Sequence, residues 1–150
     1  MSFLYPLLKF VTVIFLIFFL IFLALIAIGL VIRYFYSRRI SGIGNRFVKL
    51  GTHNQPMELY ELTTAEAKKT ISFQEIVFLC SKMHINLGND PIKTWKRTQR
   101  IGREAILEGS FVGKDDRHYI LTLHLRRKHQ RWRVSSFNFV EDKSRTIRPE

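Results

Sequence analysis

The sequence predicts an α+β fold behind one N-terminal transmembrane helix, on three observations. Residues 10–32 carry no charge, the apolar residues of 73–84 recur at three- and four-residue steps, and from residue 104 onward they alternate with polar ones. Helical periodicity first and strand periodicity afterwards place helices on one face of an antiparallel sheet. The expectation is therefore a transmembrane helix, then a helix pair packed on a curved antiparallel sheet of three to four strands. The corresponding divisions are an N-terminal segment (1–9), the transmembrane helix (10–32), a basic juxtamembrane linker (33–54), the α+β domain (55–141) and a flexible tail (142–150).

From Phe10 to Ile32 there are 23 consecutive uncharged residues, and only Thr12 and Gly29 interrupt the aliphatic and aromatic run. As a helix this run is roughly 34 Å long, enough to cross a hydrocarbon core of about 30 Å. A helix satisfies every backbone polar group internally, which is what lipid requires. Tyr5 and Lys9 mark one interface; Tyr34, Tyr36, Arg33, Arg38 and Arg39 mark the other. A cleaved signal peptide is the rival reading. Its apolar core is shorter and ends in small residues at a cleavage site, whereas here Arg33-Tyr34-Phe35-Tyr36 follows.

Residues 1–50 contain six basic residues and no acidic one, so half of the net charge of +12 lies in the anchor and its flank. Arg33, Arg38, Arg39, Arg46 and Lys49 follow the span, against Lys9 before it. By the positive-inside rule this asymmetry puts the domain in the cytoplasm. The same cluster could hold anionic headgroups. Ordinary topology-setting charge is the simpler reading.

In the linker, Gly42, Gly44 and Gly51 weaken a helix continuous with the anchor. Pro56 suits a first helical position, and Thr63-Thr64-Ala65-Glu66 reads as a helix start. Ser72 with Glu75 has the capping-box pattern, and Phe73, Ile76, Val77, Cys80, Met83 and His84 mark the expected core face. Asn86 to Pro91 is turn-rich. Lys93 to Arg103, containing Trp95, reads as a strand with a basic solvent face. Ala105, Leu107, Gly109 and Phe111 form one buried parity and Tyr119, Leu121, Leu123 and Leu125 the next. The last strand opens at Trp132 and Val134, and its apolar parity slips before Phe137, which predicts a bulge near Ser135-Ser136.

The stretches Tyr60-Glu61-Leu62-Thr63, Ser72-Phe73-Gln74-Glu75-Ile76, Ala105-Ile106-Leu107-Glu108-Gly109-Ser110 and Arg131-Trp132-Arg133-Val134 carry a resemblance. Their order resembles small bacterial domains of the nuclear-transport-factor-2-like (cystatin-related) superfamily, in which a helix pair precedes a strand with an L-x-G step and a last strand opens with W-[KR]-V. The resemblance covers residues 45–140 and implies fold, since these motifs encode packing. Two membrane-tethered groups share the shape: inner-membrane scaffold components of type IV secretion machines and, more loosely, a respiratory-oxidase assembly factor. Both place the domain on the far side of the membrane from the cytoplasm, opposite to the charge argument.

The residues offer little chemistry. His118 and His124 take the polar parity of their strand, Glu104 and Glu108 face outward toward neighbouring arginines, and His84 sits at a helix end. No histidine pair has helical metal-site spacing. Gly42-Ile43-Gly44 lacks the remaining positions of a phosphate loop, and no G-x-S-x-G occurs. Cys80 is the only cysteine, so neither an intrachain disulfide nor a cysteine zinc site can form, and it reads as a core thiol. No catalytic residue, cofactor or metal is expected.

The distinctive surface feature is basic: Lys93, Lys96, Arg97 and Arg100 in one segment, and Arg126, Arg127, Lys128 and Arg131 in one hairpin. The readings are solvated surface, an acidic protein or membrane surface, and, least favoured, nucleic acid, for which Trp95 and Trp132 would have to be displayed for stacking. The expected function is a non-enzymatic, single-pass scaffold or assembly component of a larger inner-membrane complex, bacterial or mitochondrial. Its expected partners are the bilayer, other complex subunits and possible anionic headgroups. The alternative is a membrane-tethered pocket domain that binds or transforms a small molecule.

Overall fold

The structure is a computed structural model that describes residues 4–146; the side chains of residues 4–8, 36, 37, 92, 97, 145 and 146 lie outside the description. Tyr5, Tyr36 and Arg97 are among them. The elements run α1 (Leu4–Thr52), α2 (Pro56–Glu61), α3 (Ala67–Thr70), α4 (Phe73–Leu87), β1 (Ile92–Ile101), β2 (Glu104–Val112), β3 (His118–Lys128), β4 (Arg131–Glu141) and α5 (Lys143–Thr146). The chain forms two compact units, Met1–Arg38 and Arg39–Glu150.

In the first unit, α1 exposes its apolar side chains from Phe10 to Phe35. No polar face relieves this surface, and the helix is long and apolar enough to cross a membrane. Arg33 and Arg38 are exposed at its end, as is Tyr34.

The second unit is α+β, with a curved, open antiparallel sheet of four strands in the order β1-β2-β3-β4. The simple order follows from short turns. His129 and Gln130 both adopt positive φ, at 46° and 63°, the conformation that a two-residue hairpin turn requires. The expected bulge is present: His124 pairs with Ser136 and Leu125 with Val134, leaving Ser135 as the extra residue. A second bulge, which the sequence pattern did not reveal, leaves Lys96 unpaired between Trp95 and Arg97. Bulges bend a strand locally, and these two lie on the outer strands.

The buried parities of β2 and β3 are as expected. Leu107, Phe111, Leu121 and Leu123 are fully buried, with Ala105, Tyr119, Leu125 and Val134 beside them. At the edge of β4, the backbone N–H of Thr64 donates to Val134 and that of Val134 to Leu62, so a parallel bridge shields part of this edge.

Three expectations need correction. The stretch 33–54 is not a linker: α1 continues to Thr52 through Gly42, Gly44 and Gly51. Its last turns bury Ile40, Phe47, Val48 and Leu50 in the core, so the α+β unit begins near residue 39 rather than 55. Packing outweighs the roughly 1 kcal/mol that each helical glycine costs. The inner face of the sheet is accordingly covered by the end of α1 together with α4. The Phe47 and Phe137 rings lie 5.8 Å apart, and His84 Nδ1 lies 2.6 Å from the Thr52 carbonyl.

The buried stripe of α4 is also rotated from the expected one. It comprises Ile76, Leu79, Cys80, Met83 and Leu87, while Phe73 and Val77 are 38% and 40% exposed. The capping box itself is formed: Ser72 Oγ accepts from the Glu75 backbone N–H, and Glu75 accepts from that of Ser72 at 2.7 Å. Finally, the start of the tail is ordered, since Lys143–Thr146 form a helical turn in which Ser144 Oγ donates to Asp142. Residues 147–150 lie outside the described residues.

Candidate functional site

The middle of the space inside the curve of the sheet is filled. Phe47, Met83, Phe111, Leu121 and Leu123 occupy it with no exposed surface. The buried polar side chains among the described residues are Thr52, Thr63, Thr64 and Ser110, none of them an acid or base suited to proton transfer. No buried polar side-chain atom among the described residues lacks a hydrogen-bond partner, and no group of histidine, cysteine or carboxylate ligands there could hold a metal. His124 is exposed and His118 half-buried, on the outward parity of β3. Glu104 pairs with Arg126 across strands at 3.9 Å.

Cys80 is fully buried, and desolvation pushes its thiol from 9.0 up to about 11. A raised folded value gives stability that is complete below the ordinary thiol range and is lost as pH rises toward 11. The reactive species is the thiolate. Maleimide labelling of the native chain at pH 7 is expected to be at least on the order of a hundredfold slower than that of the urea-unfolded chain. Equal rates would show that the thiol is reachable in the folded state. Burial also raises the Tyr119 phenol, with Asp115 and Glu141 adding to the effect; its ring stacks on Phe139 at 5.4 Å.

The basic residues singled out in the sequence do not form one stripe. Lys93 is opposite Phe111, at the far end of β1 from Arg100, and Lys96 is the bulged residue; both are exposed. Arg100, Arg127 and Lys128 gather with Arg103 where the β1–β2 and β3–β4 turns lie side by side, around a depression of about 580 Å³. There the Arg127 backbone N–H donates to Arg103, and Arg100 Nε to Gly102. Lys128 pairs with Glu66 at 3.6 Å; a hydrogen bond from its own backbone and then the Lys128 charge hold the Glu66 carboxyl below its usual range. Arg97 is on β1, its side chain outside the description. Trp95 is half-buried and spoken for: its indole meets Phe111 edge-on at 5.7 Å, and Nε1 donates to Asn45 Oδ1 at 2.9 Å. Trp132 is 8% exposed. Neither tryptophan is displayed for base stacking.

Arg131 belongs elsewhere. It lines a pocket of about 710 Å³ formed by the 39–46 stretch of α1, by α2 and by the start of β4. Arg39 and Arg46, seven residues apart and so on one helical face, line it too, as do Lys68 and Arg133. Against these five cations stand Glu58 and Glu61. Arg39 was expected at the membrane interface and Arg131 on a partner surface; the fold brings them together. The sequence held two signals for this site: the seven-residue spacing of Arg39 and Arg46, and the alternation of Arg131 and Arg133 around an inward Trp132. Lys68 and the two carboxylates gave none, because α2 and α3 reach the site only through the tertiary fold.

A third depression, of about 600 Å³, lies between α4 and β4 and is lined by Ile71, Phe78, Leu79, Lys82, Phe137 and Phe139. Phe78 is 71% exposed at its rim.

No protein-family model matches the chain, and no curated protein matches it. Among solved structures, the chain is similar to an NTF-2-like protein of unknown function from Silicibacter pomeroyi DSS-3. The two share 12% identity over 73% of this chain and 98% of that one, with a TM-score of 0.57. At that identity the likeness shows the fold alone: the α+β architecture is that of an NTF2-like fold.

Proposed function

We propose that this protein is a non-enzymatic, single-pass membrane-anchored scaffold or assembly component. Its α+β domain makes protein contacts within a larger inner-membrane complex of the secretion or respiratory-assembly type. The observation that carries this reading is the packed centre of the core: Phe111, Leu121 and Leu123 close the space beneath the middle of the sheet, and among the described residues no carboxylate or imidazole is buried with them. The apolar helix supports the anchor, and the chemistry left to the domain lies on its outside. The charge asymmetry around residues 10–32 favours a cytoplasmic domain. Gentle detergent extraction followed by native sizing tests the reading. A particle several times the 17.8 kDa of the chain, beyond the detergent contribution, is expected. Free monomer under gentle conditions at native abundance would remove the scaffold reading and leave the tethered-pocket alternative.

A further inference from the structure

We infer that the pocket between α1, α2 and β4 binds a phosphate group, and that an anionic phospholipid headgroup is its favoured source. Arg39, Arg46 and Arg131 are all exposed around one concavity, and none is hydrogen-bonded or ion-paired among the described residues. Three guanidiniums that line one concavity, none in a salt bridge with a carboxylate among the described residues, repel one another, so a dianionic or monoanionic oxygen ligand is what they are suited to accept. Arg133 is not free in this sense. Its Nη1 donates to the Glu61 carbonyl, which ties the end of α2 to β4 and fixes the pocket wall. Lys68 stands over the Tyr60 ring, 4.7 Å from its centroid, so its charge is held near the site without an acidic partner. Glu58 and Glu61 offset two of the five cations, and a net positive pocket remains.

The headgroup source follows from chain reach. Arg39 is seven residues beyond Ile32, the end of the uncharged run, so by chain length alone it lies within about 25 Å of that end. This clause rests on the membrane reading; the phosphate chemistry does not.

The test uses the full chain in detergent, with native mass spectrometry to count retained lipid and calorimetry to follow soluble anions. One phosphatidylglycerol retained in preference to phosphatidylcholine is expected. In Arg39→Gln/Arg46→Gln/Arg131→Gln, retention should weaken on the order of a hundredfold, since each charge near an anionic surface contributes about fivefold. These positions are exposed, so the variant keeps the fold, and Lys93→Gln/Lys96→Gln should bind as the parent does. Binding of inorganic phosphate or glycerol phosphate with the same arginine dependence, with or without lipid, supports the site and identifies a soluble source. This arm reads the pocket even if the tether fails. The inference is overturned if the triple variant retains phosphatidylglycerol and binds phosphate like the parent. It is equally overturned if the loss follows Arg33→Gln/Arg38→Gln instead, or if the arginines serve only an oligonucleotide.

Discussion

A chain that begins at residue 55 is expected not to fold, whereas one that begins at Arg39 folds and stays in solution. The shorter chain lacks Ile40, Phe47, Val48 and Leu50, four of the buried residues of the core. Truncating one large buried side chain costs about 2–5 kcal/mol, so losing four costs about 8–20 kcal/mol, as much as the roughly 5–15 kcal/mol by which a domain is stable. It also lacks Thr52, whose carbonyl contacts His84, and Asn45, which holds the Trp95 indole. Thermal melts followed by circular dichroism decide this: a cooperative transition for 39–150 and none for 55–150 is the expected pair. Matching melts would mean that the end of α1 is dispensable and that the core has been assigned wrongly.

Two glycines two residues apart in α1 are expected to respond in opposite directions. A Cβ on Gly44 would collide with Leu107 and lie 2.7 Å from the Trp95 ring, whereas a Cβ on Gly42 meets nothing within 4 Å. Gly44 is where the helix backbone rests on the sheet, and Trp95 also lies across Gly109 of β2. Gly44→Val is expected to cost about 3 kcal/mol, the upper part of the range for overpacking a filled core. Gly42→Ala should stabilise by about 1 kcal/mol, the ordinary gain in a helix interior. Urea titration of both variants measures the contrast. Equal and small effects would show that the helix does not approach the sheet at Gly44.

Strands β2, β3 and β4 were legible in the sequence because each presents one wet and one dry face. Leu121, Leu123 and Leu125 betray β3 by period alone, and the parity slip after Val134 marks the Ser135 bulge. Helix α1 was harder to read past Arg33. Its glycines look like breaks, but Gly44 and Gly51 are small because side chains press on them, a reason that exists only after folding. Rotation of the α4 stripe has a similar origin. Phe73 and Val77 fit the helical period, yet the surface they would need is not there; Phe73 instead meets Tyr60 edge-on at 5.6 Å on the outside. The cationic pocket was half visible: its arginines stood out, but only the packing of α1 against β4 shows which of them share a concavity.

The anchor is the premise on which the functional reading rests, and fractionation tests it most directly. Membranes from cells making the full chain should be washed in alkaline carbonate and the retained protein identified by peptide mass. Peptides covering residues 10–32 in the pellet, on the same molecules as the α+β domain, are expected. A mature form that begins beyond Arg33 and leaves with the wash would mean that the apolar stretch is a removed leader and that the domain works free of the bilayer.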